Sequence, residues 1–364
     1  MAARALGARS EVRTMNQVPL QRSRGAMLIT DKRWDYLVDG SKSLVWIGGM
    51  KTKQAPKDLT LIQLFDCFGT DEKARQHLEK VLWKGGVVCP HCKCNDQKKF
   101  GLIKPNESAK TRAGLRWCSN CKSKFTVTIG TIFEDSHIPL RKWLIAWYLI
   151  CSSKKGISSL QLKRVLEIGC YGTALFMAHR IRHALKETSY AEKLSGTIEV
   201  DEALIGGHYP QAKGTYAANK TPVVALVQRG GPVRSKVMPT VNGANLKEAI
   251  RDNVQICSEV HTDMNQRYAG LEPKFTHKTV KHAADEFGRH EGENIVSTCA
   301  VESFFSLSKR GIVGTFHHVS AQHLPLYLAE FDHRHNFRKV SEGERTDCGL
   351  TKAVGKRLIY KTQN

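Results

Sequence analysis

The feature that most constrains this 364-residue chain is a doubled cysteine pair. Cys89-Pro-His-Cys92 is followed, after 25 intervening residues, by Cys118-Ser-Asn-Cys121. Two cysteines with two residues between them can aim both sulfurs at one ion, and two such knuckles complete a tetrahedral Cys₄ site for Zn²⁺. A redox pair or unrelated thiols are the alternatives, and the repetition argues against both. His91 and Cys94 lie close enough to substitute as ligands, but a doubled CxxC needs neither. Val87, Val88, Trp117, Phe125 and Val127 flank the cysteines as the short strands of a zinc ribbon would. Eleven cysteines in a chain this long do not form the framework of a small secreted domain, so a reducing cytoplasm is expected.

The same segment is basic, through Lys93, Lys98, Lys99, Lys104, Lys110, Arg112, Arg116, Lys122 and Lys124. The whole chain shares this bias: Lys and Arg outnumber Asp and Glu by 56 to 34, a net charge of +22. Such an excess points to a polyanionic partner, nucleic acid before a membrane surface. No run of about 18 apolar residues exists, so no membrane-spanning helix is expected. The N-terminus lacks the apolar core of a secretory signal. Residues 1–57 show no periodicity and read as a poorly ordered basic extension, with Met15 and Met27 as alternative starts.

Apolar spacing predicts a helix over 59–82, which with the ribbon makes a unit of residues 58–130. Residues 131–190 read as helical. Leu140 to Ile150 is strongly apolar, and Trp143, Trp147 and Tyr148 are read as core rather than as a base-stacking platform. Helices over 159–168 and 173–186, joined by Gly169-Cys-Tyr-Gly172, suggest a helix-turn-helix. The second carries His179, Arg180, Arg182, His183 and Lys186, so Arg180 and Arg182 are candidate DNA contacts. A helical linker with a solvated face is the alternative.

Residues 191–340 carry the candidate chemistry. Ile198-Glu-Val-Asp-Glu-Ala-Leu-Ile-Gly-Gly207 reads as an apolar strand holding acids mid-run, where a carboxylate is costly to bury unpaired. Asp201 and Glu202 must point to opposite faces of that strand, so only one can serve a common site. Two further apolar runs, Pro222 to Gln228 and Val233 to Val241, flank the hairpin signal Arg229-Gly-Gly-Pro232. A short helix over 245–251 precedes a strand ending near Asp263. His261 shares that strand's face with Asp263 and is expected to be structural or to orient water. The histidine-rich stretch from His277 to His335 is irregularly spaced and reads as DNA contact or solvated loop rather than as a metal site. A helix over 299–310 carries Glu302, then Lys309 and Arg310, and another helix spans 320–337. Carboxyl ends of neighbouring strands are where α/β sheets place their sites. Asp201, Asp263 and Glu302 gathered there would repel one another until divalent cations, Mg²⁺ or Mn²⁺, bind between them. Lys309, seven residues beyond Glu302, and Arg310 would hold a DNA phosphate; a Glu302 ion pair with either is the alternative.

Several stretches together resemble a known family. They are Val200-Asp-Glu202 with Gly206-Gly207, His261-Thr-Asp263, Val301-Glu-Ser-Phe-Phe-Ser-Leu-Ser-Lys-Arg-Gly311, Gly314-Thr-Phe-His-His-Val-Ser320, His323-Leu324, Tyr327-Leu328, Glu330-Phe331 and Asn336-Phe-Arg338. They look like the ISXO-type DDE transposases of bacterial insertion sequences, which also carry an N-terminal zinc ribbon. The resemblance covers roughly residues 59–340. It implies a mixed α/β, ribonuclease-H-like catalytic core, metal-dependent cutting and joining of transposon ends, and homo-oligomers acting on inverted repeats in double-stranded DNA. It also implies a nucleoid-associated protein of the bacterial cytoplasm. Many members have Asn three residues before the glutamate of the C-terminal motif, where this chain has Cys299, a poor ligand for Mg²⁺. The reading therefore takes Glu302 as the third acid. Should the position of Cys299 be the catalytic one, the alternative is an impaired, zinc-dependent DNA-binding regulator. Residues 341–364 read as a C-terminal tail.

Overall fold

The computed structural model describes residues 60–358 except 107, 109–110, 188–189, 207–219, 282–285, 287 and 293, together with four strands between residues 22 and 46. Met15, Lys110 and Gly207 lie outside the described residues. Residues 1–55 and 56–364 are separate compact units. In the first, where the sequence shows no periodicity, β1 (Arg22–Ser23), β2 (Ala26–Asp31), β3 (Trp34–Val38) and β4 (Leu44–Trp46) pair antiparallel in chain order.

The second unit opens with α1 (Leu61–Phe68) and α2 (Asp71–Leu82). The one helix expected over 59–82 is broken at Gly69 and Thr70. Thr60 and Thr70 each accept a backbone N–H three residues on, so each starts a helix of its own. The ribbon follows as an antiparallel sheet of β5 (Phe100–Leu102), β6 (Arg116–Cys118) and β7 (Ser123–Phe125). Phe125 is buried at its centre, edge-on to Trp83 at 6.2 Å and to Phe100 at 5.7 Å. Arg116 stacks on Trp83 and reaches Glu79 at 3.4 Å, tying the ribbon to α2.

A helical layer comes next: α3 (Leu140–Ser152), α4 (Ser159–Val165) and α5 (Tyr171–Leu185). Trp143, Trp147 and Tyr148 are buried in it, as the stripe predicts. Arg180 and Arg182 overturn their reading as DNA contacts. Arg182 is fully buried, donating to Glu330 at 2.5 Å, and Arg180 lies against Trp143 and Phe176 and donates to the Glu134 carbonyl. A guanidinium enclosed in this way cannot reach a phosphate. The charge pattern suggested a solvated face, but two large aromatic surfaces and a buried carboxylate receive it instead.

The catalytic-candidate region is a five-stranded mixed sheet. Its strands are β8 (Thr197–Ile205), β9 (Thr221–Gln228), β10 (Val233–Val237), β11 (Glu259–Asp263) and β12 (Thr276–Val280), in the spatial order β10-β9-β8-β11-β12. The first three run antiparallel, the β9–β10 hairpin turning at Gly230 with φ 70°. β11 returns parallel to β8, through α6 (Gly243–Asn253), and β12 parallel to β11. A hairpin of β13 (Gly288–Glu291) and β14 (Asn294–Ser297) leads into α7 (Cys299–Gly311), followed by α8 (Leu324–Asn336).

Strand alternation divides the sheet between two cores. Ile198, Val200, Val224 and Leu226 pack with Leu246, Ile250, Tyr268 and Phe275 on the α6 face. Ala203, Ile205, Val223, Ala225 and Val227 pack with Val301, Phe304, Phe305 and Leu328 on the α7–α8 face. The segment expected as a tail contains α9 (Glu342–Thr351), started by a Ser341–Glu344 capping box. Leu350 and Ala353 join the core around α3, and His77 meets Asp347 at 2.7 Å. The periodicity of ten polar-rich residues was too weak to announce that docking.

Candidate active site

Glu199, Asp201, Ala203 and Ile205 share the α7–α8 face of β8 by the two-residue period of a strand. His261 pairs with Glu199 in the parallel β8–β11 register, so Asp263, two residues on, falls on the same face as Asp201. Asp263 is the last residue of its strand. The helix that covers this face, α7, brings Glu302. The three side chains and Thr298 line one cavity of about 250 Å³. Cys299 is exposed and does not line it. Thr298 Oγ1 donates to Glu302 Oε1 at 2.6 Å and the Glu202 N–H donates to Asp201 Oδ1 at 2.8 Å, orienting both carboxylates.

Burial pushes the Asp201 carboxyl up to about 6, with Glu202, Asp263 and Glu302 adding repulsion; the Glu202 N–H offsets part of this. Such mutual repulsion among enclosed acids is what a divalent cation relieves. The donor set is all hard oxygen, which suits Mg²⁺ or Mn²⁺. Glu202, on the opposite face, accepts from Tyr268 Oη and lies 3.7 Å from Arg267. His261 is buried and bonded to Glu259 at 2.5 Å and Ser297 at 3.3 Å, a structural post under the hairpin rather than a group facing the cavity.

Sequence reasoning missed Glu199, Thr298 and Arg229. Glu199 is 1 % exposed, and its carboxylate binds Arg229 and the first turn of α7 at once. Its signal was available: it stands two residues before Asp201 in the same apolar run, where burial demands a partner.

In the ribbon, Cys89, Cys92, Cys118 and Cys121 bring their sulfurs within 4.8 Å of one another, and among the described residues this is the group of metal-binding side chains so gathered. Cys89–Cys121 and Cys92–Cys118 are 3.6 and 3.7 Å apart. A tetrahedron with ~2.3 Å metal–sulfur bonds has edges of about 3.8 Å. The four therefore fit a thiolate-bound metal, and His91 and Cys94 stay outside the set. The three carboxylates stand further apart around their cavity.

The ISXO2-like transposase domain family matches residues 193–336, the sheet with its acids, and the transposase zinc-ribbon domain family matches residues 69–124, the cysteine cluster. Over these two segments the chain is similar to the ISXO2-like transposases. A Halobacterium salinarum relative, described as an uncharacterized protein in transposable element ISH50, is 29% identical over 293 residues, covering 75% of this chain and 93% of the relative. A solved simian T-cell lymphotropic virus intasome in complex with the PP2A regulatory subunit B56 gamma aligns at 14% identity and a TM-score of 0.25, over 48% of this chain and 67% of that one. Among the described residues, no helix is long and apolar enough to cross a membrane. Lys309 and Arg310 are exposed at the far end of the helix that carries Glu302.

Proposed function

We propose that this chain is a transposase that binds the terminal inverted repeats of an insertion sequence and carries out metal-dependent cleavage and strand transfer on double-stranded DNA. The observation that carries the reading is the meeting of Asp201, Asp263 and Glu302 around one cavity, from two parallel strands and a covering helix. Three antiparallel strands followed by two parallel ones, with helices on both faces, one acid within the first strand and another ending the adjacent parallel strand, is what a ribonuclease-H-like core calls for.

Asp201, Asp263 and Glu302 would hold Mg²⁺ or Mn²⁺. Bound there, such cations supply the Lewis acidity that activates a water or 3′-hydroxyl and stabilises the leaving oxygen of a phosphodiester. Thr298 keeps Glu302 turned toward the cavity, and the Glu202 N–H does the same for Asp201. Lys309 and Arg310 would hold the DNA backbone, joined by the exposed lysines and Arg112 of the ribbon. With Arg180 and Arg182 buried, the helix-turn-helix reading passes to the exposed α4–α5 surface, where Lys163 and Arg164 lie. Cys89, Cys92, Cys118 and Cys121 would hold Zn²⁺ structurally, consistent with a reducing cytoplasm and a place on the nucleoid. Cutting two ends and joining them calls for a homo-oligomer.

The test is Asp201→Asn with a linear duplex carrying the element's end. Cleavage and joining are expected to vanish while retention of that duplex persists, since retention rests on basic side chains. Joining at the wild-type rate would overturn the proposal.

A further inference from the structure

We infer that Glu199 is the positioning residue that fixes the third acid of this site, acting through the backbone of α7; the inference rests on the three-carboxylate reading above. Glu199 and Asp201 stand on the same face of β8. Glu199 Oε2 accepts from the N–H groups of Ala300 at 2.6 Å and Val301 at 3.3 Å. Oε1 accepts from Arg229 Nε at 3.0 Å and Nη2 at 2.6 Å. Arg229 in turn donates to Ser297 Oγ at 3.0 Å and to the carbonyls of Ile295 and Ser297.

One carboxylate thus locks the first turn of α7 to the strand that carries Asp201, and its partner arginine locks the hairpin strand entering that helix. Thr298 makes no side-chain cap to the helix. Glu199 supplies that cap from another element, two residues from Asp201. Glu302 follows within one turn, its N–H bonded to the Thr298 carbonyl at 3.0 Å. The separation between Asp201 and Glu302 is therefore set by a buried, charge-assisted clamp rather than by apolar packing alone. Phe304, Phe305 and Val301 anchor the helix but tolerate sliding, because apolar contact is non-directional. Two N–H groups converging on one carboxylate do not tolerate it.

The clamp also demands charge. In Glu199→Gln the amide keeps the shape but must present a donor either to Arg229 or to the N–H groups of α7. Groups that orient metal-binding side chains cost about 10- to 100-fold in metal affinity when removed.

The experiment compares the full-length wild type with Glu199→Gln, Glu199→Ala and Arg229→Met. Mn²⁺ binding is followed by electron paramagnetic resonance, and amide exchange is followed by mass spectrometry in the peptide covering 298–308. Expected are Mn²⁺ binding at least about tenfold weaker in all three variants and faster exchange confined to that peptide. The thermal midpoint and the metal content of the cysteine cluster are expected to stay close to wild type in Glu199→Gln. Wild-type Mn²⁺ affinity in Glu199→Gln overturns the positioning role alone. Faster exchange spread over the whole sheet overturns it too, since Glu199 would then be a general stabiliser. Wild-type protein that binds Mn²⁺ no better than Asp201→Asn overturns the three-carboxylate reading and the inference with it.

Discussion

Asp201 and Asp263 stand on the same face of two adjacent parallel strands, each two residues beyond the paired Glu199 and His261. That registry leaves Glu302, on the helix covering the face, as the acid that completes the cavity, while Cys299 is exposed beside it. Glu302→Gln is expected to abolish Mg²⁺-dependent cleavage of an end duplex. Cys299→Ala is expected to leave the rate within about twofold, since the thiol neither lines the cavity nor is a ligand for a hard cation. A loss in Cys299→Ala equal to that in Glu302→Gln would transfer the third position to the cysteine.

Arg182 serves stability, not DNA. Although burial pushes the Glu330 carboxyl up, Arg182 and Arg334 hold it below the usual carboxylate range. Removing one partner of a buried pair strands the other charge at a cost of about 3–5 kcal/mol. Arg182→Met is therefore expected to lower the urea midpoint strongly, with no change in the salt slope of DNA binding. Lys309→Ala is expected to do the reverse, lowering that slope by about one contact with the midpoint unmoved. Equal salt slopes for wild type and Lys309→Ala would remove that lysine from the interface.

The two readings of α5 and β8 show what local sequence can carry. Strand alternation put Asp201 and Glu202 on opposite faces, and nothing long-range could change that. The spacing of the doubled CxxC likewise defined the ribbon without any tertiary knowledge. Arg180 and Arg182 failed because exposure of a charged helix face depends on what packs over it. Glu330 and Arg334 sit about 150 residues away in the chain, on α8. The burial of Glu199 was readable from its apolar run, but its role was not: its partners Arg229 and Ala300 come from two other elements. The docking of α9 was illegible because its buried residues are Thr346, Gly349 and Leu350, a single large apolar side chain in a polar run.

Acid sensitivity follows from histidines held neutral in the helical layer. Burial, with Lys352, Arg345 and Arg334 nearby, pushes His333 down to about 3; burial likewise takes His179 and His335 down to about 4. A histidine whose folded pKa lies below its unfolded value stabilises the fold fully above about 6.5 and loses that contribution as pH falls. Asp332, raised by burial to about 7, works in the opposite sense, losing its contribution as pH rises from about 4 to 7. His333 can be isolated by substitution. Its Nε2 lies 3.0 Å from the Arg345 carbonyl, a bond that a glutamine amide can keep. His333→Gln should be less stable than wild type at pH 7.5, and the gap should shrink by about 2 kcal/mol at pH 5. A gap that does not change with pH, measured by urea unfolding, would show that His333 is not held neutral.

Metal removal separates the ribbon from the rest of the unit. The sulfurs of Cys89, Cys92, Cys118 and Cys121 gather within 4.8 Å of one another, and the ribbon's own core is little more than Phe125 with Trp83, Val87, Phe100 and Ile129 around it. So small a core does not stand without its ion. The helical layer has its own core around Trp143, Trp147 and Met177. A strong chelator, or Cys118→Ser, is therefore expected to expose the chain between about residues 85 and 128 to limited proteolysis, leaving far-UV helical signal nearly intact. The purified wild type is expected to carry about one equivalent of zinc. Less than half an equivalent, or a ribbon equally protease-resistant with and without chelator, would refute a structural Cys₄ site. Loss of the helical signal on chelation would instead mean that the Arg116–Glu79 contact and the Trp83 stack make ribbon and helices fold as one.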